Sequence, residues 1–209
     1  MWVFYLHKYM EHPKNEKSLV LIKPDGVQRS LVGEIVSRLE RVGLKFLALK
    51  MTIPTEKQAM EHYYKEEAWF KKMGDRVVEQ RKEQGKSIDK DPIEYGKFIQ
   101  KTVVDFLISG PVIAMILEGN QVCGIVRKLV GATEPLSSDV GTIRGDYTVD
   151  SYDIANLDNR SVRNLIHASE VPEDAEKEIK IWFSKNEILK YNLVQDKILY
   201  DVNLDGIKE

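Results

Sequence analysis

Residues 17–53 read KSLVLIKPDGVQRSLVGEIVSRLERVGLKFLALKMTI, and the fold is decided in this stretch. Leu19-Val20-Leu21-Ile22 is a continuous apolar run, the pattern of a strand buried on both faces. Lys23-Pro24-Asp25-Gly26 stops it, because proline and glycine impose a turn. Leu31, Ile35, Val36, Leu39 and Val42 then recur at helical spacing until Gly43 ends the pattern. Lys45 to Ile53 returns as a second strand with bulky apolar residues on both sides. Strand, helix and strand in succession open a layered α/β fold.

Further along, Thr55 caps a helical stretch predicted from Glu56 to about Phe70. Glu79 to Lys86 is nearly all polar, and Asp89-Lys90-Asp91-Pro92 marks a turn. Tyr95, Phe98, Ile99, Val103 and Phe106 predict an amphipathic helix, which Ser109-Gly110-Pro111 breaks before the apolar strand Val112 to Leu117. Val122, Ile125 and Leu129 give another helix, stopped by Gly131. Residues 132–163 read as a long Gly-, Ser- and Asp-rich loop with one short strand candidate at Asp146 to Val149. A last helix begins near Pro172 and turns Ala175, Ile179, Trp182 and Phe183 inward. This order fits a ferredoxin-like split βαβ sandwich: a four-stranded antiparallel sheet with flanking helices, one domain spanning 1–209.

Composition narrows the function. Hydrophobic residues make up 43% and charged residues 31% of the 209, so the chain can bury a sizeable core and is not a disordered segment. A net charge of −2 offers no broad basic surface for nucleic acid or for a membrane, so an anionic ligand must be held by local cations. The single cysteine, Cys123, excludes an internal disulfide and a cysteine-built zinc site; it reads as a packing residue on a helix, in a reducing cytoplasm. The apolar opening Met1 to Leu6 is too short for a signal sequence or a membrane span and reads as an extra edge strand or an interface arm.

The chemistry gathers in three places. Thr142-Ile143-Arg144-Gly145-Asp146 has glycines that let backbone approach a ligand and an arginine whose fork suits phosphate. Lys23 ends the first strand, and Arg127 lies on the helix that precedes the long loop. His167 stands between an apolar pair and an Ala-Ser step in Asn164-Leu165-Ile166-His167-Ala168-Ser169. Each has a bland reading: a satisfied core histidine, a plain turn at Lys-Pro-Asp-Gly, a loop-tethering ion pair at Arg144, a solvated Arg127. Together they describe a site for a highly charged phosphate.

Four blocks carry a resemblance. Lys17 to Glu34 is KSLVLIKPDGVQRSLVGE, Ser109 to Gly119 is SGPVIAMILEG, Gly141 to Tyr147 is GTIRGDY, and Asn164 to Phe183 is NLIHASEVPEDAEKEIKIWF. In that order they resemble the signature blocks of the nucleoside diphosphate kinases, across residues 17–73, 102–149 and 163–191. The resemblance implies a transferase that moves the γ-phosphate of ATP or another NTP to an NDP through a phosphohistidine. It makes His167 the nucleophile, Glu178 the group that orients it, and Lys23, Arg127, Thr133 and Arg144 the phosphate ligands. It places Tyr63 beside the transferring phosphate, Ser169 in support of the site, Asn164 on the ribose, and Trp69 (or Phe70) under the base. Mg²⁺ is expected to come with the nucleotide, with no dedicated protein cage; Glu170 stands where an aspartate near the metal is usual. A cytoplasmic homo-oligomer, tetramer or hexamer, is implied as well.

The chain departs from the family pattern in an N-terminal arm over 1–16 and in apparent insertions at 74–101 and 150–162. The second insertion leaves Ser161 or Val162 to supply the far wall of the base slot. Three roles are open to both insertions: a lid, a change in base preference, or a change in subunit contacts. The rival readings are a non-catalytic nucleotide-binding regulator, a nucleic-acid binder, and a phosphotransferase for monophosphates or protein histidines. The first would have lost His167 or a phosphate ligand, the second needs a basic patch, and a comparison of NDP acceptors separates the third.

Overall fold

A computed structural model describes residues 15–205 and 207. The predicted arm therefore lies outside the described residues, except for its last two positions. Four strands form one antiparallel sheet in the order β2-β3-β1-β4, where β1 is Glu16–Ile22, β2 Lys45–Thr52, β3 Val112–Gly119 and β4 Ile166–Ala168. That is the expected ferredoxin-like arrangement. β1 and β3 are central, and their buried stretches 19–22 and 112–117 are apolar throughout, as burial on both faces demands. β2 lies at an edge and alternates: Leu49, Met51 and Ile53, one residue beyond it, are each more than half exposed.

The helices are α1 Pro24–Gln28, α2 Val32–Arg41, α3 Glu56–His62, α4 Glu67–Glu83, α5 Pro92–Leu107, α6 Val122–Val130, α7 Ile143–Tyr147, α8 Tyr152–Leu157, α9 Pro172–Trp182 and α10 Asp196–Leu199. They cover both faces of the sheet. On one face Leu19, Leu21, Ala114 and Ile116 pack against Ala59, Val104, Leu107, Ala175 and Trp182, so α3, α5 and α9 lie there. On the other face Val20, Ile22, Met115 and Leu117 meet Ile35, Leu39, Val126 and Ile143, from α2, α6 and α7. Truncating Leu19, Leu21, Ile22, Met115, Ile116 or Leu117 to alanine is expected to cost about 2–5 kcal/mol.

Three local expectations are corrected. The stretch Asp146 to Val149 is not a strand. Thr142 caps α7 by accepting a hydrogen bond from the Gly145 amide at 3.1 Å, and the Asp146 carboxylate accepts from the Gly141 amide at 2.7 Å. This capped turn overrides the β preference of Tyr147-Thr148-Val149, and Val149 ends fully exposed. The fourth strand is instead the short one that carries His167. The helix predicted over 56–70 is two helices, broken at Tyr63 to Glu66 with no glycine or proline to signal it. At the break Tyr63 packs against the core, and His62, the last residue of α3, is buried on the same face as Ala59. The inward stripe of α5 is Tyr95, Gly96, Val104 and Leu107, while Phe98 is 40% exposed.

Residues 74–101 form the far halves of α4 and α5 and the turn between them. The two helices touch closely: a Cβ on Gly74 would lie 1.6 Å from the Pro92 carbonyl oxygen, and one on Gly96 2.2 Å from that of Phe70. Asp91 starts α5 with a capping box to Glu94, and Pro92 takes a first-turn position. In the second candidate insertion, Arg160 grips Asp150 with two nitrogens at 2.7 and 2.9 Å, closing a loop around α8.

Candidate active site

Register decides where His167 points. His167 lies directly opposite Leu21 on β1, and opposed residues share a face of the sheet. Its imidazole therefore projects to the side covered by α3 and α9. There Glu178, on α9, places both carboxylate oxygens on His167 Nε2, at 3.0 and 3.1 Å. Ser169 Oγ donates to the same carboxylate at 2.7 Å and accepts from the Leu19 amide at 3.0 Å. A carboxylate can only accept, so Nε2 carries the proton and Nδ1 keeps its lone pair. Among the described residues Nδ1 has no hydrogen-bond partner.

The segment leading to His167 is held under strain. Leu165, which is not glycine, has φ +64. Its amide donates to Asp25 Oδ2 at 3.1 Å, and its carbonyl accepts from the Lys23 amide at 2.7 Å. The Lys-Pro-Asp-Gly turn thus clamps the strand that carries His167, and such over-determination is what holds a strained residue in place. Burial raises the Asp25 pKa, while Lys23 opposes that shift.

Lys23 Nζ donates to Asn164 Oδ1 at 2.7 Å, and Asn164 Nδ2 donates to the Thr133 carbonyl at 2.8 Å. Burial first, then the Arg144 guanidinium, lower the Lys23 pKa to about 8. Arg144 is also buried. Its Nε donates to Asn164 O at 3.1 Å, Nη1 to Gly131 O at 3.1 Å and Ala132 O at 2.9 Å, and Nη2 to Ile166 O at 2.6 Å. Four of its five N–H groups thereby tie the loop to β4, leaving one on Nη2 for a ligand. Burial lowers its pKa to about 10. Tyr63 Oη is buried with no partner among the described residues, and burial, then Glu178, raise its pKa, so it remains a donor.

The rim is more open. Arg127 Nη1 pairs with Glu170 Oε1 at 2.9 Å, both side chains being largely exposed. The Thr133 side chain is exposed, and its carbonyl serves Asn164. Trp69 and Phe70 begin α4 half-buried, their rings 5.7 Å apart edge-to-face. Ser161 and Val162 are half-buried behind the Asp150–Arg160 clasp.

The structure thus joins His167, Glu178 and Ser169 in one hydrogen-bonded network and Lys23, Asn164 and Arg144 in another, the second tied to the strand of His167 through the Leu165 and Ile166 carbonyls, with Tyr63 buried and Arg127 paired with Glu170. It adds His62, which the sequence reading passed over. The His62 ring centroid is 4.4 Å from that of His167, at 82°. The available signal was the three-residue spacing from Ala59, which puts both on the buried face of α3.

A bare ring nitrogen backed by a carboxylate can attack phosphorus, and buried cations beside it favour a phosphate over a neutral substrate. On this fold those features define a histidine-based phosphotransferase. A family model described as nucleoside diphosphate kinase matches residues 16–82 and 92–188, so the chain belongs to the nucleoside diphosphate kinase family. It is 44% identical over 180 residues to a nucleoside diphosphate kinase of Pyrobaculum aerophilum, covering 84% of this chain and 98% of that one. It is 37% identical over 188 residues to one of Methanothermobacter thermautotrophicus, covering 89% and 99%. Among solved structures, an NDP kinase from Pyrobaculum aerophilum superposes with a TM-score of 0.79 at 43% identity, covering 84% of this chain and all of that one. A nucleoside-diphosphate kinase from Borrelia burgdorferi, a transition state mimic with bound vanadate and ADP, gives 0.73 at 38% identity over 88% and 96%.

Proposed function

We propose that this protein transfers the γ-phosphate of an NTP, chiefly ATP, to an NDP in two half-reactions through His167. The observation that carries the reading is the imidazole fixed at Nε2 by Glu178 with Nδ1 bare, beside the buried Lys23 ammonium. The Nδ1 lone pair attacks the γ-phosphorus, and the bond to the β–γ bridging oxygen breaks, releasing an NDP. A terminal oxygen of a second NDP then attacks the phosphoryl group, the N–P bond breaks, and the electron pair returns to Nδ1. Glu178 steadies the charge on the phosphorylated ring, and Ser169 keeps the carboxylate aimed. Lys23, the remaining Nη2 hydrogen of Arg144, Arg127, the Thr133 hydroxyl and Tyr63 Oη engage phosphate oxygens. Asn164 engages the ribose, and Trp69 the base, whose π-face it reads without an edge preference.

Mg²⁺ fits as an ion held by nucleotide phosphates. Among the described residues, the one group of three His, Cys, Asp or Glu side chains close enough to share a metal contains two imidazoles, whereas Mg²⁺ takes oxygen ligands. Glu170, exposed and paired with Arg127, is the carboxylate we assign to approach it, and the ion would supply charge neutralisation for the phosphates. We read the protein as a cytoplasmic homo-oligomer, tetramer or hexamer. The apolar row Leu49, Met51 and Ile53 at the β2 edge supports burial against another copy. Among the described residues no helix is long and apolar enough to cross a membrane.

Intact mass after incubation with ATP and Mg²⁺, beside His167→Ala, is the test. The expected result is an acid-labile, phosphate-sized gain that disappears on adding GDP and is absent from the variant. A folded, nucleotide-binding wild type that gains no mass would reject His167 as the nucleophile.

A further inference from the structure

His62 is the last residue of α3 and is 8% exposed. Its Nδ1 accepts a hydrogen bond from Trp182 Nε1 at 3.3 Å. A neutral imidazole has one donor and one acceptor, so this bond fixes the proton on Nε2. That Nε2 is buried and has no hydrogen-bond partner among the described residues. Buried polar groups in native proteins are nearly always paired, so an orphan beside a reactive histidine calls for a function. The ring stays neutral near physiological pH, because burial above all, with help from His167, Lys23 and Lys65, pushes its pKa well below the usual imidazole value.

The geometry around His167 shows what such a group can do. Glu178 fixes the His167 ring at one nitrogen and so sets its tautomer. A bond at one atom leaves the ring free to rock about the N···O line, which would swing Nδ1 across the cleft. The His62 ring stands at 82° to the His167 ring with the centroids 4.4 Å apart, a contact that opposes this rocking. His62 is held in turn by Trp182, a residue of the core, whose ring lies 5.7 Å away at 85°.

We propose that His62 is a positioning residue for the nucleophile: a neutral imidazole, locked by Trp182 with its proton on Nε2, that braces the His167 ring so that Nδ1 keeps its aim. The idea rests on the phosphohistidine reading and adds a second fixed side to it. Ligand atoms of His62, His167 and Glu178 lie within 4.8 Å of one another, a spacing that would suit a metal ion. Trp182 opposes that use, since coordination through Nε2 would push the His62 proton onto Nδ1, against the indole N–H.

The test combines imidazole ¹⁵N spectra with single-turnover phosphorylation of His167 by ATP. In the wild type, His62 is expected to show one neutral, Nε2-protonated form at neutral pH. His62→Ala should slow phosphorylation about 10- to 100-fold with ATP affinity unchanged, as small misplacements of a nucleophile do. His62→Phe, which restores a ring wall, should recover most of that loss. Trp182→Phe should leave His62 exchanging between tautomers. A folded His62→Ala protein that phosphorylates His167 at the wild-type rate would overturn the proposal, as would a wild-type His62 protonated on Nδ1. A wild type that takes no phosphate rejects the transfer reading instead, and the nitrogen spectrum still reports on the Trp182 lock in that case.

Discussion

The floor of the cleft and its rim are built in opposite ways. On the floor, Lys23, Arg144, Asn164 and Ser169 are all buried, and each makes at least one hydrogen bond of 3.0 Å or less. On the rim, α4 meets α8 through Gln80 alone among the hydrogen bonds of the described residues, at 3.5 Å to Asp153 Oδ1 and 3.3 Å from Asn156 Nδ2, all exposed. Precision costs side-chain freedom, and it is concentrated where charge moves during the reaction. The rim has only to admit and release a nucleotide, and weak contacts suit that. Substitutions on the floor should therefore change rates by orders of magnitude, and those on the rim by small factors.

Glu178→Ala should have the largest effect. Without the carboxylate the His167 tautomer is no longer set, and phosphorylation should slow by roughly 10²–10⁴-fold with little change in ATP affinity, read by single-turnover mass spectrometry. An equal loss in affinity would mean that Glu178 acts on the nucleotide and not on the histidine. Arg144→Ala comes next, with a double effect. Removing one charge-stabilising donor should lower kcat by roughly 10²–10³-fold. The carbonyls of Gly131, Ala132, Asn164 and Ile166 would each lose the guanidinium donor, so stability should also fall by about 3 kcal/mol, measurable by urea unfolding. A full loss of activity with unchanged stability would show that the guanidinium serves the phosphate alone.

Lys23 sharpens the contrast through pH. With a pKa of about 8, its ammonium is lost as pH rises through that value. The expected result is that kcat/KM for ATP falls above about pH 8, approaching tenfold per unit, while bound phosphate shifts the limb of kcat to higher pH. Stability should move the other way. The folded value lies below the ordinary 10.5, so the unfolded chain binds more protons between about 8 and 10.5. The penalty for burying the ammonium is full below that window and relieved as pH rises through it. A flat alkaline profile would mean that phosphate recognition does not depend on this charge.

The same division separates what the sequence alone reveals from what only the fold brings together. The buried strand 19–22, its Pro-Asp-Gly stop and the inward stripe of α9 are encoded in local pattern, and they fix where Lys23, His167 and Glu178 meet. The burial of His62 could be read from its spacing to Ala59 on α3, but its contact with His167 was hidden because it joins elements far apart in the chain. The carbonyl cage of Arg144 was hidden because it closes around backbone from both ends of a long loop. Tyr147-Thr148-Val149 misled because a threonine cap five residues upstream of Tyr147 outweighed a β-favouring triplet.

The smallest expected effect lies on the rim and tests the contrast most directly. Gln80 joins α4, which carries Trp69, to α8, which borders the segment leading to Asn164. If that link helps to close the cleft over a bound base, Gln80→Ala should raise KM for both nucleotides about two- to fivefold, because two long, exposed hydrogen bonds contribute little net energy. The rate of phosphoryl transfer at saturation should not change, since nothing on the floor has moved. Removing the link in this way should also expose the 84–91 turn and the α8 loop to protease together, with bound nucleotide protecting both. A change in kcat without a change in KM would place the rim in contact with the reacting groups, and the separation between floor and rim would fail.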